Sequence, residues 1–422
     1  MQVQIRIPEQ VNSILETLQK SGYEAYVVGG CVRDALMGKA PKDRDYVLCG
    51  IARESFEQLF PQAKRVGKAF PVYLLDIDGE MCEVSLARRE RKSGHGYRGF
   101  QVEFDETVTI EEDLFRRDTS MNSMALELPE EALIDPYGGR EDIGKKVIRA
   151  VSVHFMEDPV RALRAARQAA EHGFTIEKKT FGFMASCADE LRGEPQERLF
   201  HEMKLALASE RPSIFFRCLQ EAGLLSVVFP EIHQLIGKTQ PAAFHPEGDS
   251  YEHSLLVLDK VARETESLVG RFSGLVHDIG KGVTPEEMLP HHYGHEKKGK
   301  EVLDRWNQRM TLPKQWLNAA HFVIAQHMRA PKLEKPGKIV DLLLAIEKAP
   351  MDFSEFNAVI RADHGTLPDY LRHYERYLSG ILSVHGSDCP EEIRGKAIGT
   401  WVRDEQIRVY RKMADNKKED CI

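Results

Sequence analysis

The stretch Tyr26-Val-Val-Gly-Gly-Cys-Val-Arg-Asp-Ala-Leu-Met-Gly-Lys-Ala-Pro-Lys-Asp-Arg-Asp-Tyr-Val-Leu48 decides the fold of the N-terminal part of this chain. It predicts a buried strand, a glycine turn at Gly29-Gly30, a short helix and a second strand. Asp43 and Asp45 begin that second strand, so their side chains share one face. Paired carboxylates suit a divalent cation, and the backbone amides of a glycine turn suit a phosphate. The stretch therefore predicts metal-dependent phosphoryl or nucleotidyl transfer.

The composition indicates an ordinary globular protein. The chain has 422 residues, of which 42% are hydrophobic and 29% charged, which suggests roughly two to four domains. Neither a membrane span nor a secretory signal is recognisable. Seven dispersed cysteines without a Cys-x-x-Cys pair indicate reduced thiols, so we expect a cytoplasmic protein. With a net charge of −8, a nucleic-acid partner would have to be bound by local basic patches.

A third carboxylate follows on a predicted hairpin, with strands over 70–77 and 81–87. Glu83 on the second strand could join the two aspartates, or it could simply face solvent. The basic, glycine-containing segment 88–99 is predicted as a loop. It is either a solvated surface loop or one that closes over a triphosphate or the end of a nucleic acid.

Polar side chains concentrate again between residues 113 and 125. Arg116 and Arg117 could bind a triphosphate, and Asp118 and Asn122 are spaced to share a face at a helix start. The alternative for this segment is an ordinary capped helix.

The segment around Asp158 suggests base selection. Pro159 predicts the first turn of a helix with Asp158 near its cap, and Arg161 then lies within reach of that aspartate. An aspartate acceptor beside an arginine donor matches the amine and ring nitrogen of cytosine and adenine, and it rejects uracil and guanine. The alternative is a capped helix with a Glu157–Arg161 ion pair. Further along, Arg198 and Glu202 either pair with each other or hold the base-selecting helix in place.

Helical patterns replace strand patterns from about residue 140. The predicted fold class is α+β, with a head over 1–140, a helical part over 141–238, a histidine-rich helical part over 239–370 and a helical tail over 371–422. Residues 239–249 are predicted as a linker. The doublet His277-Asp278 is predicted inside an apolar helix.

The histidine-rich part also predicts a metal site. Its candidate ligands are His253, His277, Asp278 and Asp363, with other histidines nearby. Imidazole and carboxylate suit Mn²⁺, Ni²⁺, Fe²⁺ or Mg²⁺, and a metal-activated water could attack a phosphoester.

Together these motifs resemble the class II CCA-adding enzymes (tRNA nucleotidyltransferases), in the bacterial form with a C-terminal HD domain. The resemblance covers about residues 25–370. The matching motifs are Gly29-Gly-x-x-Arg-Asp34 with Asp43-x-Asp45, Glu83, the segment 88–99, Arg116-Arg-Asp118 with Asn122, Glu157-Asp-x-x-Arg161, Glu197-Arg198, and His253, His277-Asp278 and Asp363.

The resemblance implies a polymerase-β-like nucleotidyltransferase head, with a small mixed sheet and helices, followed by an all-α neck, body and HD domain. It implies addition of C, C and A to the 3′ end of tRNA from CTP and ATP, with release of pyrophosphate. Asp43 and Asp45 would be catalytic and would bind Mg²⁺ together with Glu83. In the HD domain His253, His277, Asp278 and Asp363 would bind Ni²⁺, Mn²⁺ or Mg²⁺ for phosphatase or 2′,3′-cyclic phosphodiesterase activity.

The partners implied are tRNA, CTP and ATP. The protein is expected to be a monomer or a homodimer and not to associate with a membrane. The predicted nucleotide-binding residues are Gly30, Arg33, Arg116, Arg117, Asp118, Asn122, Asp158, Arg161, Arg164 and Arg167. Arg164 and Arg167 are also predicted to contact RNA phosphates, so RNA binding should weaken with salt.

Three alternatives remain open at this level. A poly(A) polymerase shares the head motifs, although it usually carries a strongly basic tail. A partial enzyme would add only A or only CC, and the segment 88–99 argues against CC-only addition because such relatives have a shortened loop. A tRNA-binding protein could keep only the HD phosphohydrolase. The chain departs from the family's usual pattern at Thr119-Ser120, where a bulky apolar residue and a threonine are more common, and in a predicted helix over 8–21.

Overall fold

The computed structural model describes residues 14–15, 18–40, 44–66, 72–77, 79–92, 100–243 and 245–419. The chain divides into two compact units, one built from residues 1–206 with 214–228 and the other from 207–213 with 229–422. None of the helices in the described ranges is long and apolar enough to cross a membrane.

The first unit carries the strands of the described structure. They are β1 (Glu24–Val28), β2 (Asp45–Cys49), β3 (Lys64–Val66), β4 (Val72–Ile77), β5 (Glu80–Leu86), β6 (Arg88–Lys92), β7 (Phe100–Phe104), β8 (Ala125–Leu128), β9 (Ala132–Ile134), β10 (Val147–Ile148) and β11 (Thr175–Ile176).

Helices occupy both units. They are α1 (Gly30–Leu36), α2 (Arg53–Leu59), α3 (Ile110–Phe115), α4 (Gly139–Lys145), α5 (Arg161–His172), α6 (Lys178–Ser186), α7 (Ala188–Leu191), α8 (Gln196–Leu207), α9 (Ser213–Glu221), α10 (Leu225–Val228), α11 (Pro230–His233), α12 (Ser250–Glu264), α13 (Leu268–Val276), α14 (His295–Arg309), α15 (Lys314–Gln326), α16 (Pro336–Glu347), α17 (Phe353–His364), α18 (Asp369–Arg372), α19 (Tyr374–Leu382) and α20 (Lys396–Glu419). Short 3₁₀ helices span Ser120–Asn122, Val153–Glu157, Ile279–Val283, Glu286–Met288, Ala330–Lys332 and Gly386–Asp388.

The main sheet has seven strands in the order β3-β4-β5-β2-β1-β8-β9. Strands β2 and β5 run parallel, and the other neighbours run antiparallel. This mixed sheet followed by helices confirms the predicted α+β class. The strands β6 and β7 form a separate antiparallel hairpin.

Both faces of the sheet are covered, which explains why β1 and β2 are apolar at almost every position. One face packs residues such as Val27 and Leu48 against Val32 of α1 and Phe56 of α2. The opposite face packs Val28, Val47 and Cys49 against Ile110 and Leu114 of α3. The ends of β1 and β2 are thereby fixed between two hydrophobic layers.

The turn from β1 into α1 depends on glycine. Gly29 has a φ of +72°, a conformation that a side chain disfavours. A Cβ atom there would also lie 3.3 Å from Nη1 of Arg117. The glycine therefore lets the turn and that guanidinium approach each other closely.

Several sequence-based boundaries need correction. The predicted loop 88–99 begins as strand β6, because residues 88–92 pair with 100–104; residues 93–99 lie outside the described ranges. Helix α5 begins at Arg161 rather than near Pro159, since residues 158–160 form a turn before it. Within the predicted N-terminal helix 8–21, residues 14–15 and 18–20 are helical. Residues 8–13 and 16–17 lie outside the described ranges.

Two corrections concern the second unit. His277 and Asp278 do not lie inside a helix: His277 directly follows α13, and Asp278 precedes the 3₁₀ helix Ile279–Val283. The predicted linker 239–249 folds back on itself, with Thr239 and Asp249 forming a bridge. His277 and Asp278 therefore lie at the end of α13, and Asp249 lies at the start of α12. Side chains at helix ends can meet those of neighbouring helices.

A close backbone contact holds the turn after Asp278 in place. A Cβ atom at Gly280 would lie 2.0 Å from the carbonyl oxygen of His295 and 2.5 Å from the amide nitrogen of Gly299. Only glycine fits at such a distance, so the turn after Asp278 packs directly against the start of α14.

Candidate functional sites

Two carboxylates lie side by side at the sheet. Asp45 is the first residue of β2, and its register partner on the parallel strand β5 is Glu83. Paired residues of adjacent strands project to the same face, so both carboxylates face the side that carries Val47. A place beside the aspartates was one of the two alternatives that the sequence left open for Glu83. Asp43, the other predicted ligand, lies outside the described residues.

The glycine turn is joined to a second polar segment through Arg33. This arginine donates from Nη1 to Asn122 Oδ1 at 2.7 Å and from Nε to Asp34 Oδ1 at 2.9 Å. A Cβ atom on Gly30 would lie 3.5 Å from Arg33 Nη2. Gly30, Arg33 and Asn122 therefore form one corner, although they are distant in sequence.

One buried carboxylate orients both arginines of the Arg116-Arg117 pair. Asp113 accepts hydrogen bonds from Arg116 Nη2 at 2.6 Å and Nε at 3.0 Å through Oδ1, and from Arg117 Nη2 at 3.1 Å through Oδ2. Burial alone would raise the pKa of Asp113, but the two guanidinium groups outweigh it and lower the pKa to about 2. Asp113 was not among the predicted site residues; its spacing of three and four residues from the arginines was the available signal.

Asp118 is a buried carboxylate that accepts hydrogen bonds from several side chains. Its carboxylate accepts from Asn122 Nδ2 at 3.1 Å, Arg164 Nε at 2.8 Å and Gln168 Nε2 at 3.3 Å. Burial would raise the pKa of Asp118, but Arg164 and the hydrogen bonds hold it well below its usual range. The unusual Thr119 is completely buried and donates from Oγ1 to Gln168 Oε1 at 3.0 Å. A hydrogen bond therefore accompanies the loss of apolar bulk at this position.

Asp158 and Arg161 are oriented by partners on other segments. Arg198 Nη2 donates to both carboxylate oxygens of Asp158, at 2.8 and 3.0 Å, and Arg198 Nη1 donates to Glu194. Arg161 Nη1 donates to the carbonyl oxygen of His154 at 2.7 Å. These contacts agree with the interpretation that the helix carrying Arg198 supports the base-selecting segment.

Helix α8 also holds the far end of α5. Arg167 Nε donates to Glu202 Oε2 at 2.7 Å, and Arg167 Nη1 donates to Glu171 Oε2 at 2.6 Å. Glu202 thus contacts α5 itself, whereas Arg198 contacts the turn that precedes α5. Two ion pairs between α8 and the segment 158–167 fix the spacing of that segment.

These side chains line one cleft of about 870 Å³, a size typical of small-molecule sites. Every residue predicted for the catalytic and nucleotide-binding site within the described ranges contributes to it: Gly30, Arg33, Asp45, Glu83, Arg116, Arg117, Asp118, Asn122, Asp158, Arg161, Arg164 and Arg167. The lining also includes Arg88, from the segment that could close over a triphosphate, and Ser85 and His201, which were not predicted. The cleft contains the Asp45–Glu83 carboxylate pair and several arginines. The carboxylates suit a divalent cation, and the arginines suit the phosphates of a nucleotide.

The second unit holds a separate buried cluster around Asp278. Asp278 Oδ2 lies 3.2 Å from His277 Nε2 and 3.7 Å from His253 Nε2. His253 Nε2 also lies 3.1 Å from Asp363 Oδ1. All four predicted HD ligands are therefore brought together.

Two histidines that were not predicted as ligands complete the cluster. Asp278 Oδ1 lies 3.2 Å from His295 Nε2 and 3.3 Å from His327 Nε2. These two nitrogens are 3.3 Å apart. Asp278 thus presents one oxygen to each histidine pair. His321, another histidine of this region, instead contacts Asp304.

Three histidines of the cluster bond through Nδ1 to the backbone, which leaves their Nε2 atoms to coordinate a metal. His277, His295 and His327 each place Nδ1 against a backbone carbonyl oxygen, at 2.8, 2.8 and 3.1 Å. With a proton on Nδ1, a neutral imidazole has its lone pair on Nε2. Among the described residues, His277 Nε2, Asp278 Oδ1 and Asp363 Oδ2 are buried and make no hydrogen bond of good geometry, although nitrogen and oxygen atoms of the cluster lie close to them. The described residues therefore fit a metal ion chemically.

Charged neighbours surround this cluster. Lys281 Nζ lies 2.5 Å from Asp278 Oδ2 and also donates to Gln240, while Glu247 Oε1 lies 2.5 Å from His253 Nδ1. Burial lowers the pKa of His277, but Asp278 and Asp363 reverse this and raise it to about 10, so a metal ion bound at Nε2 would displace a proton from this ring. The pKa of Asp278 lies well below its usual value, because Lys281 and His277 outweigh the effect of burial.

Comparison with known proteins agrees with this two-part organisation. Residues 25–149 match the family described as the poly A polymerase head domain, and residues 173–236 match a probable RNA- and SrmB-binding site of polymerase A. Residues 250–349 match the HD domain. The fold and the two sites thus define the class of proteins in which a polymerase-type head precedes an HD domain.

Full-length relatives specify the class further. The chain is 43% identical over 376 residues to the multifunctional CCA protein of Shewanella denitrificans, covering 88% of this chain and 84% of the relative. It is 43% identical over 397 residues to that of Vibrio campbellii, covering 91% and 96%, and 38% identical over 408 residues to that of Pseudomonas syringae, covering 92% and 98%. The chain belongs to the family of the multifunctional CCA proteins.

Solved structures with the same fold are more distant in sequence. The Bacillus stearothermophilus CCA-adding enzyme in complex with CTP has a TM-score of 0.66 at 24% identity, covering 98% of this chain and 94% of that one. The Thermotoga maritima CCA-adding enzyme in complex with tRNA has a TM-score of 0.62 at 20% identity, covering 96% and 92%. At this level of identity the similarity concerns the fold.

Proposed function

We propose that this chain adds the 3′-terminal CCA sequence to tRNA in the cytoplasm, using CTP and ATP and releasing pyrophosphate, without a nucleic-acid template. The observation that carries the proposal is the single cleft in which a carboxylate pair, a clamped arginine pair and the Asp158–Arg161 pair meet. The names of the relatives and the fold of the CTP-bound neighbour support it. The division into head, neck and body, HD domain and tail, at the boundaries predicted from the sequence, is part of the proposal.

Asp45 and Glu83, together with Asp43, would hold Mg²⁺ at the head. Their adjacent register on β2 and β5 supports this role, since oxygen ligands on one face suit that ion. When bound, Mg²⁺ would lower the pKa of the tRNA 3′-hydroxyl and neutralise the departing pyrophosphate.

The clamped arginines would bind the triphosphate. Arg116 and Arg117 are oriented by Asp113 and are 13% and 18% exposed at their side chains. Because Arg117 lies against Gly29, a phosphate bound there would meet both a guanidinium group and the amides of the turn. Arg33, held by Asn122, would close the other side.

Asp158 and Arg161 would read the Watson–Crick edge of the incoming base. A carboxylate has about four lone-pair sites, so Asp158 can accept from an exocyclic amine while Arg198 remains bonded to it. The His154 carbonyl holds Arg161 in a fixed orientation beside it. Arg164, with 41% of its side chain exposed, and Arg167 would add contacts to nucleotide and RNA phosphates.

The second unit would contribute a metal-dependent phosphohydrolase. His253, His277, Asp278 and Asp363 would hold a first ion, for which Ni²⁺, Mn²⁺ and Mg²⁺ are the candidates. His295 and His327 lie beside the other oxygen of Asp278 and could bind a second ion together with it. A bound ion would supply an activated water for attack on a phosphoester, and Lys281 would stabilise negative charge beside Asp278.

The direct test supplies tRNA lacking its 3′ end with each labelled nucleoside triphosphate and Mg²⁺, followed by sequencing of the product. We expect C, C and A to be added in that order. Addition of A alone, of CC alone or of a long A tract would replace the proposal with one of the other enzymes considered. Absence of any addition, with hydrolysis of a 2′,3′-cyclic nucleotide retained, would leave only the HD activity.

Base selection gives a second prediction. Asp158→Ala removes the acceptor, so we expect addition of C and A to fall at least about tenfold, the cost of one lost polar contact in a buried site. Selectivity against UTP and GTP should shrink at the same time. The measurement is the ratio of kcat/KM values for the four nucleotides. Asp189→Ala, which removes a highly exposed carboxylate of the same unit, is the control; unchanged selectivity in Asp158→Ala would refute the assignment.

A further inference from the structure

An exposed aromatic patch lies beside the nucleotide cleft. The Phe115 ring packs against Tyr137, with centroids 5.6 Å apart, and edge-on against His154 at 5.2 Å. Phe115 is 40% exposed and neighbouring Val153 is 60% exposed. We call Phe115, Tyr137, Val153 and His154 the aromatic patch. A single exposed apolar residue needs no explanation, but a contiguous group at the edge of a site does.

The patch continues the wall of the cleft. Arg116, which follows Phe115 directly, lines the cleft, and so does Arg161, whose guanidinium group donates to the carbonyl oxygen of His154. The four patch residues lie outside that lining. The aromatic patch is therefore joined to the lining of the cleft through Arg116 and Arg161.

Hydrogen bonds hold the patch in its shape. Tyr137 donates from its hydroxyl to the carbonyl oxygen of Glu111 at 2.8 Å, and Arg149 donates to the Tyr137 carbonyl oxygen at 2.6 Å. His154 Nδ1 lies 2.8 Å from Glu157 Oε1. The rings therefore keep their positions without a ligand, so binding would need little ordering of side chains.

We propose that the aromatic patch stacks the unpaired base at the 3′ end of the RNA substrate, while the incoming nucleotide occupies the cleft. This inference rests on the proposed function, because it assumes that RNA is the acceptor. Phenylalanine and histidine rings stack on any base, and nearby arginines contact the backbone. Such a platform binds different terminal bases equally well. This is required because the terminal base of the RNA changes after each addition.

The test compares two substitutions at one position. Phe115→Ala removes the ring, so the KM for tRNA lacking CCA should rise roughly tenfold, the size of one lost base stack. The KM for CTP and the kcat should stay unchanged. Phe115→Trp restores a stacking surface and should restore the KM for tRNA. Leu59→Ala, which alters a 37% exposed apolar residue at the end of α2, is the control and should change neither constant.

The tryptophan variant also reports binding directly. Its fluorescence, corrected for that of the wild-type chain, should be quenched by tRNA lacking CCA and not by CTP. A rise in the KM for CTP in Phe115→Ala would assign the patch to the incoming nucleotide and overturn the proposal, as would unchanged constants in that variant. If the wild-type chain adds no nucleotides, the proposed function fails, and quenching by tRNA alone then decides whether the patch binds RNA.

Discussion

Asp45→Asn is expected to abolish nucleotide addition while hydrolysis in the second unit continues. The substitution removes one negative charge from the Asp45–Glu83 pair at the start of the parallel strands, and with it the ligand set for Mg²⁺. Loss of metal stabilisation worth several kcal/mol corresponds to at least about a thousandfold in rate. The measurement is extension of tRNA lacking CCA with labelled CTP, made in parallel with hydrolysis of a 2′,3′-cyclic nucleotide.

Asp76→Asn provides the matched control. Asp76 is an exposed aspartate of β4 in the same sheet, and its carboxylate accepts from the Gly79 amide. Asparagine keeps the acceptor at that position, so addition should remain near the wild-type rate. If Asp45→Asn retains more than a tenth of the activity, Asp45 does not bind the catalytic metal.

Asp278→Asn is expected to have the opposite pattern. It removes the carboxylate that lies between the two histidine pairs, so bound metal and cyclic phosphodiester hydrolysis should both be lost. Metal content by mass spectrometry and hydrolysis of a 2′,3′-cyclic nucleotide are the measurements. Addition of C, C and A by the first unit should continue.

The second unit must stay folded for this result to be interpretable. Asp278 is buried beside Lys281, so a melting curve of the variant is needed alongside the activity. Asp304→Asn is the control, because Asp304 pairs with His321 in the same unit but away from the cluster. A folded Asp278→Asn protein that still hydrolyses the substrate would contradict the proposed site.

The sequence predicted those parts of the sites that depend on local pattern. Strand alternation and the glycine turn give β1, α1 and β2, and the spacing of Glu83 gives a strand that could pair with β2. The register that sets Asp45 opposite Glu83 comes from sheet pairing. Periodicity alone does not specify which strands become neighbours.

Contacts between distant segments were not predictable in the same way. Arg198 is forty residues from Asp158, and only the packing of α8 shows that they meet. His295 and His327 are two of sixteen histidines, and their spacing resembles no ligand motif. Their role becomes visible from the direction of Nε2 and the carbonyl contacts of Nδ1. The start of α5 was misplaced because Pro159 suits a turn as well as a first helical residue.

The carboxylate of Asp113 has a consequence for repeated catalysis. Ordering a free arginine side chain costs about 1.5–2 kcal/mol of conformational entropy, and the proposed reaction binds three nucleotides in succession. Because Asp113 already fixes Arg116 and Arg117 in the folded chain, that entropy is lost once, during folding, and not again with each nucleotide. The same fixed geometry meets CTP and ATP, whose triphosphates are identical, so discrimination between them is left to the segment that contacts the base.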